Sequence, residues 1–106
     1  DEALNISSNN LDALINKGSA FHLDKKYSDA ISCYDAALKI DKKHPMALAY
    51  KGLSLAESGQ LTEAIDYFKN ALCIDKHYHL AQISRDTAQE LLKSIQEKNI
   101  CIRLSI

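Results

Sequence analysis

His77-Tyr78-His79, two residues beyond Asp75, is the stretch of this sequence whose residue types come closest to a metal site. Two neutral imidazoles are good donors to a divalent metal, yet a closed site takes four ligands and a catalytic site three plus water. No further set of cysteine or carboxylate ligands stands at working spacing, so the triplet reads as a polar loop between helices, and no metal or cofactor is expected. Cys33, Cys73 and Cys101 are odd in number and widely spaced, and none forms a Cys-x-x-Cys pair. They read as free thiols in a reducing compartment, and a cytoplasmic location follows as the expectation. A catalytic thiol needs a base beside it, and the pattern sets no histidine next to Cys33 or Cys73. There is no glycine-rich phosphate loop and no carboxylate pair in a plausible cleft, so no catalytic residue is assigned and the chain is not expected to be an enzyme.

Composition narrows the remaining classes. Over 106 residues the formal net charge is −1, which gives no electrostatic case for nucleic acid or an anionic membrane as partner. Hydrophobic residues make up 46% and charged residues 25%, ordinary values for one soluble domain. Only three glycines and one proline are present, too few for the many turns of an all-β fold. No apolar run approaches the ~18–20 residues of a membrane span. Asn5-Ile6-Ser7 is a formal glycosylation triplet of a kind that arises often by chance. Lysines and acids are interleaved along the chain and read as solvated helix faces.

The dominant pattern is a self-match at an offset of 34 residues. Ala13, Leu14, Lys17 and Gly18 meet Ala47, Leu48, Lys51 and Gly52. Ala30, Ile31, Ala37 and Leu38 meet Ala64, Ile65, Ala71 and Leu72, and Ile40-Asp41-Lys42 meets Ile74-Asp75-Lys76. These are eleven identities, where chance gives roughly two or three. Within a unit, Leu11, Leu14, Ile15, Gly18 and Phe21 recur at the spacing of one helix face, and Tyr27, Ala30, Ile31, Tyr34, Ala37 and Leu38 do so again. His22–Lys26 and Glu57–Gln60 break the two helices of each unit, Gly59 having the left-handed freedom that Lys25 lacks. Pro45 suits the first turn of the following helix. Gly18, Ala30, Ala37, Gly52, Ala64 and Ala71 are small where paired helices must approach, with Tyr34 and Phe68 filling the space between hairpins. One hairpin cannot bury its apolar face alone, so the units must stack.

A 34-residue helix–turn–helix unit with this alternation of small and large residues resembles the tetratricopeptide repeat (TPR) family. Leu14, Gly18 and Phe21 match the first-helix signature and Ala30, Tyr34 and Ala37 the second; Leu48, Gly52, Leu55, Ala64, Phe68 and Ala71 do so in the next unit. The tryptophan often seen in the first helix is replaced by leucine, and the expected proline is found once, displaced to Pro45. The resemblance implies an all-α, right-handed superhelical solenoid of antiparallel hairpins. It divides the chain into repeats at 11–44 and 45–78 and a more polar capping helix at 79–98, where Asp86 takes the place of Gly18 and Gly52. Ala3-Leu4-Asn5-Ile6 is in register with Ala37-Leu38-Lys39-Ile40. Residues 1–8 are therefore expected to end the second helix of a preceding repeat in a longer array. Residues 99–106 alternate Ile100, Ile102, Leu104 and Ile106 with Cys101, Arg103 and Ser105, a pattern that predicts an extended or β tail.

The resemblance also implies a function: a scaffold that binds a protein or peptide in the concave groove lined by the first helices. In register, that groove comprises Asp12, Ile15, Asn16, Ser19 and His22, then Met46, Ala49, Tyr50, Leu53 and Glu57, then Leu80, Ile83, Ser84 and Thr87. Its middle leans apolar, which suits an amphipathic helix or an extended apolar peptide. The family's chaperone co-factors grip a C-terminal Glu-Glu-Val-Asp tail through lysine and asparagine in one first helix, asparagine in the next, then lysine and arginine. The matching positions hold Ile15, Ser19, Tyr50, Leu80 and Ser84, with Arg85 one residue out of register, so no carboxylate clamp is expected. The alternative role is self-association into a homo-oligomer, through the open N-terminal end or through Ile100, Ile102, Leu104 and Ile106.

Overall fold

The structure, a computed structural model, describes the backbone of residues 2–105 and the side chains of residues 10–98. Among the described residues there are five helices and no strand: α1 (Glu2–Leu23), α2 (Tyr27–Ile40), α3 (Pro45–Glu57), α4 (Leu61–Ile74) and α5 (His79–Ser105). Each helix packs on the next in sequence. Beyond that, α1 touches α3 and α3 touches α5, whereas the backbones of α2 and α4 stay apart among the described residues. Contacts limited to near neighbours define a solenoid. The odd helices form its inner row and the even helices its outer row.

The repeated residues build the repeated geometry. A Cβ placed on Gly18 would lie 2.5 Å from Cε1 of Tyr34, and one on Gly52 would lie 2.6 Å from Cε1 of Phe68. Each glycine thus lets the aromatic of its own hairpin pack closely against the first helix. Ala30, Ala37, Ala47, Ala64 and Ala71 are fully buried at the helix crossings. Both hairpins close with the same turn. Lys26 N–H donates to Phe21 O and Lys25 N–H to His22 O, just as Gln60 donates to Leu55 O and Gly59 to Ala56 O. This Schellman pattern needs a left-handed residue, which is Gly59 at φ 91° in one hairpin and Lys25 at φ 62° in the other. Between hairpins, Asp41 and Asp75 each accept from the backbone two residues on, at Lys43 and His77. His44 then caps α3 by accepting from Ala47 N–H at 3.2 Å, with Pro45 in the first turn.

Three expectations change. Residues 2–23 form one continuous helix, so no hairpin boundary falls between residues 8 and 11. The stops seen later depend on an Asp turn and on Pro45, and the corresponding positions hold Ser7 and Leu11. Nothing there interrupts a helix once it is nucleated. At the other end α5 runs past residue 98 to Ser105 with a helical backbone, not an extended one. Seven alternating residues also place Ile100 four before Leu104, and without glycine or proline after His79 helix propagation wins. The side chains of residues 99–106, including the four aliphatic residues expected to self-associate, lie outside the described residues, as does all of Ile106.

Lys51 is the third change. Its side chain is only 12% exposed, not solvated. Its ammonium donates to Asp35 on α2 at 2.5 Å and to the Tyr67 phenol oxygen on α4 at 2.8 Å. Burial, the largest single influence, opposes its charge, but the two hydrogen bonds and the coulombic attraction of Asp35 and Tyr67 together outweigh it and raise the pKa above the ordinary 10.5. One lysine thereby ties the middle inner helix to both outer helices.

Candidate functional site

Lys51 reaches outward to α2 and α4, so the opposite side of the odd helices is the concave one. Two open cavities lie there and meet at Leu53. The first, about 200 Å³, is lined by Ser19, His22, Leu23, Tyr34, Tyr50 and Leu53. The second, about 310 Å³, lies between α3 and α5, with Leu53, Glu57, Ile83, Ser84, Thr87 and Leu91 around it and Phe68 at its base. Helical spacing explains the lining: Ser19, His22 and Leu23 share one face of α1, as do Ile83, Thr87 and Leu91 on α5.

The polar atoms of the first cavity are largely engaged with one another. His22 Nδ1 and the fully buried Ser54 Oγ share a hydrogen bond of 2.8 Å that joins α1 to α3. The Ser19 and Tyr34 hydroxyls are 3.4 Å apart. Burial pushes the Tyr34 phenol above its ordinary 10.0, so it stays neutral at physiological pH. The Tyr34 and Tyr50 rings meet edge to face at 5.9 Å, a favourable aromatic geometry. Such a pocket offers apolar walls and neutral donors and acceptors, with no fixed positive charge.

Of the residues expected in the groove, Ser19, His22, Tyr50, Leu53, Glu57, Ile83, Ser84 and Thr87 line these two cavities. Asp12 and Asn16 are exposed on α1 outside them. Met46 borders a separate cavity of about 260 Å³ with His44, Pro45, Asp75 and Tyr78. Ile15 and Ala49 belong elsewhere: they are 4% and 0% exposed. Ile15 packs with Ala37 and Ala47, and Ala49 with Ala71 and Ala81. Their position is the one that a neighbouring outer or inner helix covers, so both serve the core. Leu23, 84% exposed, and Leu91, 50% exposed, were missed by sequence reasoning. The available signal for Leu23 was an aliphatic residue inside an otherwise polar break.

Among the described residues no group of three or more His, Cys, Asp or Glu is arranged to hold a metal. His77 and His79 are exposed, and the His77 N–H is occupied by Asp75. Cys33 is buried and Cys73 exposed, and both are unbridged. No described helix is long and apolar enough to cross a membrane.

The solenoid has close structural counterparts. The second TPR domain of Spaghetti (RPAP3), bound to the HSP90 peptide SRMEEVD, superposes with a TM-score of 0.77 at 22% identity, over 93% of this chain and 94% of that one. The human RPAP3 second TPR domain, in complex with the HSP70 peptide SGPTIEEVD, gives a TM-score of 0.77 at 23% identity, over 86% of this chain and 76% of that one. The Sgt2 TPR domain from Aspergillus fumigatus is 28% identical with a TM-score of 0.77, over 81% of this chain and 57% of its own. No curated protein sequence matches. The tetratricopeptide repeat family matches residues 24–79, which span the turn of the first hairpin, α2 and the whole of the second hairpin. This chain belongs to the tetratricopeptide repeat family.

Proposed function

We propose that the chain is a non-catalytic protein-binding module that takes an apolar segment of a partner protein in the groove of α1, α3 and α5, without a carboxylate clamp. The observation that carries this reading is the pair of apolar cavities meeting at Leu53. The five positions that correspond to a clamp support it too. Ile15 is buried in the core, and Ser19, Tyr50, Leu80 and Ser84 are uncharged. A carboxylate taken from water into such a site is left without the charge-assisted hydrogen bonds that would offset its desolvation. Two of the similar domains named above are bound to the HSP90 peptide SRMEEVD and the HSP70 peptide SGPTIEEVD; the proposal here is a different ligand on the same scaffold. The repeats are assigned to 11–44 and 45–78, and the unbridged Cys33 and Cys73 support a reducing, cytoplasmic setting.

The test is a titration with short amphipathic leucine-containing peptides, followed through methyl resonances. Leu53, Ile83 and Leu91 should shift together and saturably, and Leu53→Gln should abolish saturation while the helical circular-dichroism spectrum is kept. Shifts confined to the outer helices α2 and α4 contradict the reading. Self-association is the second reading, favoured by Leu91 and Ile95, which lie one turn apart on α5 and are 50% and 41% exposed. Light scattering across a concentration range decides it: a mass that rises with concentration, and falls when residues 99–106 are deleted, supports it.

A further inference from the structure

Acidic residues flank the two cavities of the inner row. Glu57 borders the second cavity. Asp12 lies seven residues before Ser19, and Glu90 seven after Ile83, so helical periodicity puts both on the same inner face. All three are exposed, and none belongs to an ion pair among the described residues. Three described cations of the same helices point elsewhere. Lys17, Lys51 and Arg85 recur at the 34-residue offset, and Lys51 shows where that position faces, outward to Asp35 and Tyr67. Arg85 is paired with Asp86 at 3.0 Å. Lys98 shares the inner face but lies two helical turns beyond Leu91. In the turn beside His22 and Leu23, Lys26 is paired with Asp24, and the exposed Lys25 lines neither cavity. No lysine or arginine lines either cavity.

We infer that the groove's ligand is a cationic amphipathic segment of a partner protein. Its leucine-like anchors enter the two cavities on either side of Leu53, and its flanking lysine or arginine residues meet Asp12, Glu57 and Glu90. The inference rests on the groove reading above and specifies its ligand. Apolar burial supplies affinity, while rim charges select between partners and speed encounter. The whole chain carries a net charge of only −1. A strong preference for cationic peptides therefore has to come from the local arrangement of the acids rather than from the molecule's overall field.

Two fluorescent amphipathic peptides of equal leucine content, one with lysine and one with glutamate on the polar face, provide the test by anisotropy at low and high salt. The leucine–lysine peptide should bind about tenfold more tightly at low salt, the preference shrinking as salt rises. The combined substitutions Asp12→Asn, Glu57→Gln and Glu90→Gln, all at exposed positions, should abolish the preference and leave residual binding of both peptides. Equal binding by the two peptides, or a preference that survives the triple substitution, overturns the inference while leaving the groove reading intact, provided Leu53→Gln still weakens both. Binding of neither peptide, or binding indifferent to Leu53→Gln, overturns both.

Discussion

In α1–α2 the ring of Tyr34 covers Gly18, and in α3–α4 the ring of Phe68 covers Gly52, with contacts that match to 0.2 Å. Both hairpins close through the same pair of backbone bonds, one with lysine and one with glycine in the left-handed position. The residues that differ are those that finish a surface. His22 faces the groove where the second hairpin has Ala56, and Ser54 accompanies it where the first has Ala20. Lys51 bridges two outer helices, whereas its counterpart Lys17 only overhangs the Phe21 ring at 5.9 Å. The comparison separates two kinds of information. Positions facing the partner helix must repeat for the solenoid to stack. Positions facing the groove or a helix on one side only are free to differ, and they give the module its chemistry.

The comparison breaks hardest at the aromatic. Phe68→Ala should cost about 3–5 kcal/mol in urea unfolding, because a fully buried ring leaves a cavity between α3 and α4. The lysine pair comes next. Lys51→Met should cost about 2 kcal/mol, since it removes two charge-assisted hydrogen bonds from a nearly buried site, while Lys17→Met should cost close to nothing. The Lys51 pKa is raised on folding, so its contribution is complete below lysine's ordinary 10.5 and is lost as pH climbs through the folded value. The gap between wild type and Lys51→Met should therefore be flat near neutrality and close at strongly alkaline pH.

Gly18→Ala and Gly52→Ala should each cost about 1–2 kcal/mol, even though alanine is the better helix former, because the added methyl collides with a packed ring. Phe68→Leu should partly rescue Gly52→Ala and leave Gly18→Ala unchanged; cross-rescue would mean that the hairpins are not independent in this contact. The smallest effect is a gain. Lys25→Gly should add about 0.5–1 kcal/mol by relieving a left-handed lysine, and Gly59→Ala should lose about as much.

The hairpins were legible in the sequence because close packing constrains residue size, and size repeats visibly: Gly18, Ala30 and Ala37 return as Gly52, Ala64 and Ala71. The ends were not. Local patterns there were short, and four residues in register at Ala3–Ile6 do not make a stop where Ser7 and Leu11 stand. Seven alternating residues at 100–106 satisfy a strand and a helix alike, and the helix before them decided the matter. In the groove, Tyr50, Leu53 and Ile83 could be named from register alone, whereas Ile15 and Ala49 could not be told from them until a neighbouring helix was seen to cover them. The burial of Lys51 was invisible because its partners Asp35 and Tyr67 lie 16 residues away on either side.

The central proposal is a groove without a carboxylate clamp on a fold shared with domains bound to the peptides SRMEEVD and SGPTIEEVD. Isothermal titration of the chain with SRMEEVD, the peptide held by the similar Spaghetti domain, tests it most directly. No saturable heat is expected, because Ser19, Tyr50, Leu80 and Ser84 offer a terminal carboxylate no positive partner. Saturable micromolar binding that is lost on Tyr50→Glu, with the helical content unchanged, would contradict the account.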